Sequence, residues 1–212
     1  MPKPVITKAV KKRYYRNRQF REKMTLKKKT VWWNGVWENK YGQYIGRHRP
    51  MYKGIRPYLQ GHILDLGIGV TDMYVEGQDI TGLDMSTECM RIMRQRHPWG
   101  NWVLGDAADT KLPSASFDTV VLANILEHYK DFTPLIYEAK RLIKPDGTIV
   151  IVLSLENYDV DHVYPKWDEE MIRTKVTSHF QRAEIELYDE RWWIIRGYNK
   201  NYEDKLQTKN SN

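Results

Sequence analysis

Three carboxylates stand at the ends of three short apolar runs: Asp65 in Leu64-Asp65-Leu66-Gly67-Ile68-Gly69, Asp84 in Leu83-Asp84-Met85, and Asp106 in Gly105-Asp106-Ala107. Gly67 and Gly69 follow the first run, where glycine lets the backbone turn sharply and a ligand come close. The third glycine of the dinucleotide fingerprint is replaced by Asp72, which argues against a pyrophosphate cofactor. Asp84 follows Asp65 by about 20 residues, the spacing at which a carboxylate accepts from two ribose hydroxyls. Ligands of alternating α/β folds bind at the carboxyl ends of the strands, so these acids together describe a nucleoside-sized pocket.

The elements needed to hold those acids are legible in the hydrophobic pattern. Buried strands are predicted at His62 to Leu66, Asp79 to Leu83, Trp102 to Leu104, Phe117 to Ala123 and Thr148 to Leu153. Ser86 is placed to cap a helix through about Gln95, stopped by His97 and Pro98. Thr133 and Pro134 start a second helix whose face is Leu135, Ala139, Leu142 and Ile143, ended by Pro145 to Gly147. A third runs from about Asp168 with Ile172, Val176 and Phe180 four apart. Two closing strands, Ala183 to Tyr188 and Trp192 to Tyr198, are separated by Asp189 to Arg191 alone, too few residues for a parallel crossover. The prediction is an α/β fold: a doubly wound, mostly parallel seven-stranded sheet with helices on both faces and a C-terminal antiparallel hairpin.

At 212 residues, 41% hydrophobic, the chain suffices for one such core and is short for two. Its apolar runs are strand-length, so no membrane segment is expected. Met1-Pro2-Lys3 leads into no apolar stretch of signal type, and Cys89 is the single cysteine, so a cytoplasmic, reducing setting is expected. The net charge of +7 is uneven: residues 1–30 hold twelve Lys or Arg against the single acid Glu22. Arg13, Arg16, Arg18 and Arg21 interleave there with Tyr14, Tyr15 and Phe20, a pattern suited to phosphates and bases or, equally, to a solvated leader. Val10 and Tyr14, then Phe20 and Met24, recur four apart, as in a helix. The organisation read from these shifts is a basic leader (1–30), an aromatic-rich lead-in (31–60), the alternating α/β domain (61–200) and a tail (201–212). The lead-in, with Trp32, Trp33, Gly35, Trp37, Tyr41, Gly42, Tyr44 and Gly46, is expected to pack on the domain and to floor or cover the cleft.

From about Gly61 to Leu155, a little under half the chain, the sequence resembles the class I S-adenosylmethionine-dependent methyltransferases, in particular the broad type 11-like subgroup with many small-molecule acceptors. The matching words are Leu64 to Gly69, Gly82-Leu83-Asp84-Met85-Ser86, Gly105-Asp106-Ala107, Leu112-Pro113 with Ser116-Phe117-Asp118, Leu126-Glu127-His128, and Leu142 to Gly147. The resemblance implies S-adenosylmethionine as cofactor, with Gly67 and Gly69 beside its methionine part and Asp65 near its amino group. It implies Asp84 on the ribose hydroxyls, Met85 against adenine, Asp106 accepting from the adenine amino group, Ala107 beside the ring, and Asn124 at the pocket floor.

The implied reaction is in-line attack on a sulfonium methyl, for which alignment and desolvation are the main requirements. Where the acceptor is a hydroxyl, a histidine suits proton removal near neutral pH. His128 is the first candidate and His162 the second, the other reading of His128 being a helix-start residue bonded to backbone. Asn124, Glu127 and His128 share one face of a helical turn; some methyltransferases hold a divalent ion with Glu-x-x-Glu-His, but Asn124 replaces the first acid, so no metal is expected. The segment from Thr71 to Asp79 is short for the helix that usually follows the glycine loop, and Asp72 and Glu76 add negative charge, so an unusual loop and a lower cofactor affinity are expected. A small-molecule acceptor is favoured, with nucleic acid reached through the leader, or a non-catalytic regulatory role, as the alternatives.

Overall fold

The computed structural model describes residues 25–155, 164 and 166–199. Helix α1 (Leu26–Ile55) opens this part of the chain. It leads into β1 (Ile63–Leu66), β2 (Ile80–Asp84), α2 (Thr87–Arg96), β3 (Asn101–Leu104) and β4 (Phe117–Ala123). Then come α3 (Thr133–Leu142), β5 (Ile143–Ser154), α4 (Glu169–Lys175), β6 (Arg182–Tyr188) and β7 (Trp192–Tyr198).

The described residues form a seven-stranded sheet in the order β3-β2-β1-β4-β5-β7-β6. The first five strands run parallel, and β7 pairs antiparallel with both β5 and β6, as the short Asp189 to Arg191 connection requires. Every residue of β1 and β2 is buried, the signature of strands covered on both faces. One apolar layer gathers Leu135, Ile136, Ala139 and Leu142 of α3 with Ile172 of α4 against the sheet. The other gathers Met51, Tyr52 and Ile55 of α1 with Cys89, Met90, Ile92 and Met93 of α2.

Ser86 caps α2 as predicted, its hydroxyl accepting from the Cys89 amide at 3.1 Å. Three expectations need correction. The face predicted for α3 includes Ile143, but the helix ends at Leu142 and Ile143 opens β5, paired with Phe117. The stretch from Pro145 to Gly147, read as the stop between helix and strand, instead lies in a bulge inside β5, with pairing resuming at Thr148 against Thr119. The helix from Asp168 ends at Lys175 and tightens into a 3-10 turn, Thr177–His179, leaving Phe180 beyond it, although Ile172, Val176 and Phe180 are all buried.

The lead-in, for which the sequence pattern suggested no regular element, is the long helix α1, and it begins inside the stretch read as the leader. It tolerates several glycines and Pro50 because its C-terminal half is held by packing, with Ile55 fully buried. At Gly54 the helix lies tight against the sheet: a Cβ there would sit 2.8 Å from Ile194 and from Tyr188. The periodicity noted at Val10 to Met24, most of the basic leader, the tail and His162 lie outside the described residues.

The loop between β3 and β4 is clamped to α3. Glu138 Oε1 accepts from the Thr110 amide at 2.9 Å and from its hydroxyl at 2.6 Å, while Arg141 donates to both carboxylate oxygens at 2.6 and 2.8 Å. The Arg141 hydrogen bonds, joined by those of Thr110, outweigh burial and pull the Glu138 carboxyl down to about 2. A carboxyl whose folded-state pKa is depressed stabilises the fold above its unfolded value and loses that contribution on acidification. Glu138→Gln is expected to cost about 2 kcal/mol at pH 7. In urea titrations the wild-type protein should lose stability from this group as pH falls from about 4.5 towards about 2, and the variant should lack that component.

Candidate active site

Strand order reverses between β1 and β4, so the loops leaving their carboxyl ends diverge and open a crevice. The glycine loop after β1 forms one wall. Gly67 and Gly69 have φ of +70° and +59°, and the amides of Gly67 and Ile68 both donate to the Leu83 carbonyl, at 2.7 and 3.1 Å. Gly69 donates to Asp84 Oδ2 at 3.0 Å while Ser86 donates to Asp84 Oδ1 at 2.9 Å, so one carboxylate ties the first loop to the cap of α2. Burial pushes the Asp84 carboxyl up to about 6, opposed by the amides of Ser86, Gly69 and Met85.

Asp65 is buried at the same edge. Its Oδ2 accepts from the Tyr74 hydroxyl at 2.8 Å, and its Oδ1 has no hydrogen-bond partner among the described residues. Burial pushes this carboxyl up to about 7, against the Tyr74 hydrogen bond and with a contribution from Asp84. Among the described residues the cleft lining includes no Lys or Arg. Two buried acids without a lining cation suit a ligand that carries positive charge and hydroxyl donors.

Of the residues singled out from the sequence, Asp65, Gly67, Gly69, Asp84, Met85, Ala107, Asn124 and His128 line this one cleft. Asp106 does not: its carboxylate accepts from the Ala108 amide at 2.9 Å and shapes the turn that presents Ala107. Asn124 adopts a left-handed conformation, φ +51°, with Nδ2 3.4 Å from Met51 Sδ and Oδ1 accepting from the Ser154 hydroxyl at 3.2 Å. His128 ends the 3-10 turn Leu126–His128 and meets the Trp33 ring edge-on, centroids 4.9 Å apart. Glu127 is buried, and among the described residues no group of three or more His, Cys, Asp or Glu gathers as metal ligands.

The opposite wall comes from α1, which supplies Trp33, Trp37, His48, Met51 and Tyr52. Trp33 and Trp37 stack at 5.8 Å, and the Trp37 ring lies so close to Gly69 that a Cβ there would be 2.8 Å from it. Asn34 Oδ1 fastens this wall to the start of α2, accepting from the Ser86 hydroxyl at 2.7 Å and from the Glu88 amide at 3.3 Å. The sequence pointed to the aromatic stretch as a cover but not to Tyr74 or His48; a tyrosine nine residues beyond Asp65 has no periodic relation to it.

Residues 64–151 match the family model described as a methyltransferase domain. A fatty-acid O-methyltransferase from Mycolicibacterium smegmatis is 27% identical over 123 residues, covering 57% of this chain and 41% of that protein. A demethylmenaquinone methyltransferase from Streptomyces griseus is 28% identical over 125 residues, covering 57% and 50%. The chain thus spans about half the length of the curated relatives it matches. Among solved structures, a SAM-dependent methyltransferase from Thermotoga maritima, titled a possible histamine N-methyltransferase, superposes with a TM-score of 0.62 at 16% identity, covering 79% of this chain and 99% of that one. Among the described residues no helix is long and apolar enough to cross a membrane.

Gly69→Ala would place a Cβ in a left-handed residue and against the Trp37 ring. The substitution is expected to lower stability by about 2 kcal/mol, read as a lower urea midpoint. An unchanged midpoint would mean that the loop and α1 are not in the contact described.

Proposed function

We propose that this chain, whose family match and topology make it a class I, Rossmann-like domain of the S-adenosylmethionine-dependent methyltransferase group, moves a methyl group onto a small, largely apolar acceptor. The observation that carries the reading is the pairing of Asp65 and Asp84, buried on either side of a positive-φ glycine loop, in a cleft lined by no Lys or Arg among the described residues. The donor set fits the cofactor: an unpartnered carboxylate oxygen on Asp65 for an ammonium group, and a buried carboxylate on Asp84 for the ribose hydroxyls. Met85 and Ala107 would flank adenine, while Gly67, Gly69 and Asn124 would border the methionine part.

When bound, S-adenosylmethionine supplies a methyl group on a positively charged sulfur, open to in-line attack. The chain's own residues align the acceptor and keep water out. Trp33, Trp37 and Met51 make an apolar wall beside the glycine loop, so a polar acceptor atom entering there loses hydration. His128, on the cleft and against Trp33, is placed to take a proton from an acceptor hydroxyl. The names of the fatty-acid and demethylmenaquinone relatives accord with an acceptor that has an apolar body. His162 keeps a secondary claim to the same role from the sequence alone. The basic stretch of residues 1–30 favours a second reading, a nucleic-acid acceptor.

Transfer of methyl label from S-adenosylmethionine to separated lipid-soluble metabolites, RNA, DNA and protein decides between them. Label is expected in the metabolite fraction; label in nucleic acid that disappears at raised salt would install the second reading, and no label with tight cofactor binding would mean a regulatory subunit. His128→Ala is expected to lower turnover about 100-fold with cofactor affinity unchanged, whereas full activity would remove the base role.

A further inference from the structure

The segment after the glycine loop, residues 70–79, forms no helix but turns back into the protein. Thr71 accepts from the Met73 amide at 3.1 Å, and Arg56, at the end of α1, donates to the Met73 carbonyl through Nε and Nη2 at 3.3 Å. Met73 and Tyr74 are carried into the core, 2% and 4% exposed. The tyrosine hydroxyl reaches one oxygen of Asp65, a residue of the cleft lining, and leaves the other buried and unpartnered among the described residues.

We infer that Tyr74 is a positioning residue for the cofactor: its hydroxyl fixes the rotamer of Asp65 and favours its ionised form, so that the free Oδ1 receives the α-amino group of S-adenosylmethionine. The inference rests on the reading of the cleft as a site for that molecule. A buried carboxylate can bind an ammonium group only when ionised, and a hydrogen bond donated to it favours that form. Burial pushes the Asp65 carboxyl up to about 7, and the Tyr74 hydrogen bond works against that rise, on the side of the ionised form. The tyrosine hydroxyl itself stays protonated, since burial and the neighbouring Asp65 push it well up.

The groups facing Asp65 are Tyr74 from the loop, Tyr52 from α1, Asp84 from β2 and Cys89 from α2. Burial raises Tyr52 and Cys89, which remain neutral. His48 and His128 share the lining, and burial pushes the Asp84 carboxyl up to about 6, so the cleft holds further ionisable groups beside Asp65. Two probes separate them. S-adenosylhomocysteine carries the α-amino group; 5′-methylthioadenosine shares the nucleoside and thioether and lacks the amino-acid portion. The ratio of their affinities therefore isolates the amino-acid end from changes at Asp84, and the Asp65→Asn variant assigns the pH dependence of that end to Asp65.

Calorimetric titration of the wild-type protein with both probes from pH 6 to pH 8 is expected to show this ratio rising about tenfold as a carboxyl near 7 ionises. In Tyr74→Phe the rise should move up by about one pH unit, with S-adenosylhomocysteine binding about fivefold weaker at pH 7 and 5′-methylthioadenosine unchanged. Asp65→Asn should abolish the rise and make Tyr74→Phe silent when the two are combined. Equal weakening of both probes in Tyr74→Phe, or a wild-type ratio flat with pH, would overturn the positioning role while leaving the cofactor site standing. A wild-type protein that binds neither probe would overturn the site and the inference together.

Discussion

The Asp84 carboxylate is the junction on which the cleft depends. One oxygen holds the Gly69 amide and the other the Ser86 amide, so the loop after β1 and the start of α2 are set against each other by a single side chain. Ser86 passes the constraint on, capping α2 with its hydroxyl while donating to Asn34 of α1. Both walls of the cleft are thereby referred to the end of β2. A buried acid is costly unless its oxygens are satisfied, and here the satisfaction of the acid and the shaping of the site are one arrangement.

The sheet supplies the frame for that junction. Strands β1 and β2 are buried throughout and in register from Ile63 with Ile80 to Leu66 with Leu83, which brings Asp84 beside the loop that follows Leu66. On the other side of β1, β4 ends at Ala123, and the left-handed Asn124 turns the chain towards the 3-10 turn that carries His128. The clamp of Glu138 and Arg141 on Thr110 ties the loop between β3 and β4, which carries Ala107 of the cleft lining, to α3.

The central strands β1, β2, β4 and the second half of β5 were legible in the sequence because burial on both faces leaves a continuous apolar run, and the hairpin because three residues leave no other connection. The acids at β1 and β2 were legible for the same reason: a strand that ends clearly shows what stands at its end. Asp106 also stands just past a strand, and one of its oxygens accepts from the Ala108 amide, a local turn that sequence spacing does not reveal. Helix α1 escaped because Gly35, Gly42, Gly46, Gly54 and Pro50 are poor helix formers, and its packing on β7 and α2 is a tertiary fact that no local window contains. Ile143 was drawn into the α3 pattern by its apolar side chain, which fills the same core from the strand that follows.

Helix α1 lies outside the stretch matched to the methyltransferase family, yet it provides the aromatic wall facing the glycine loop. In terms of inheritance, the cleft is a composite. The half built on Asp65 and Asp84 lies within the matched stretch, whereas the half contributed by α1 is one contiguous segment seated on the sheet at Gly54 and Ile55. Substitutions along that single helix would reshape one wall of the cleft and leave the carboxylate wall as it stands.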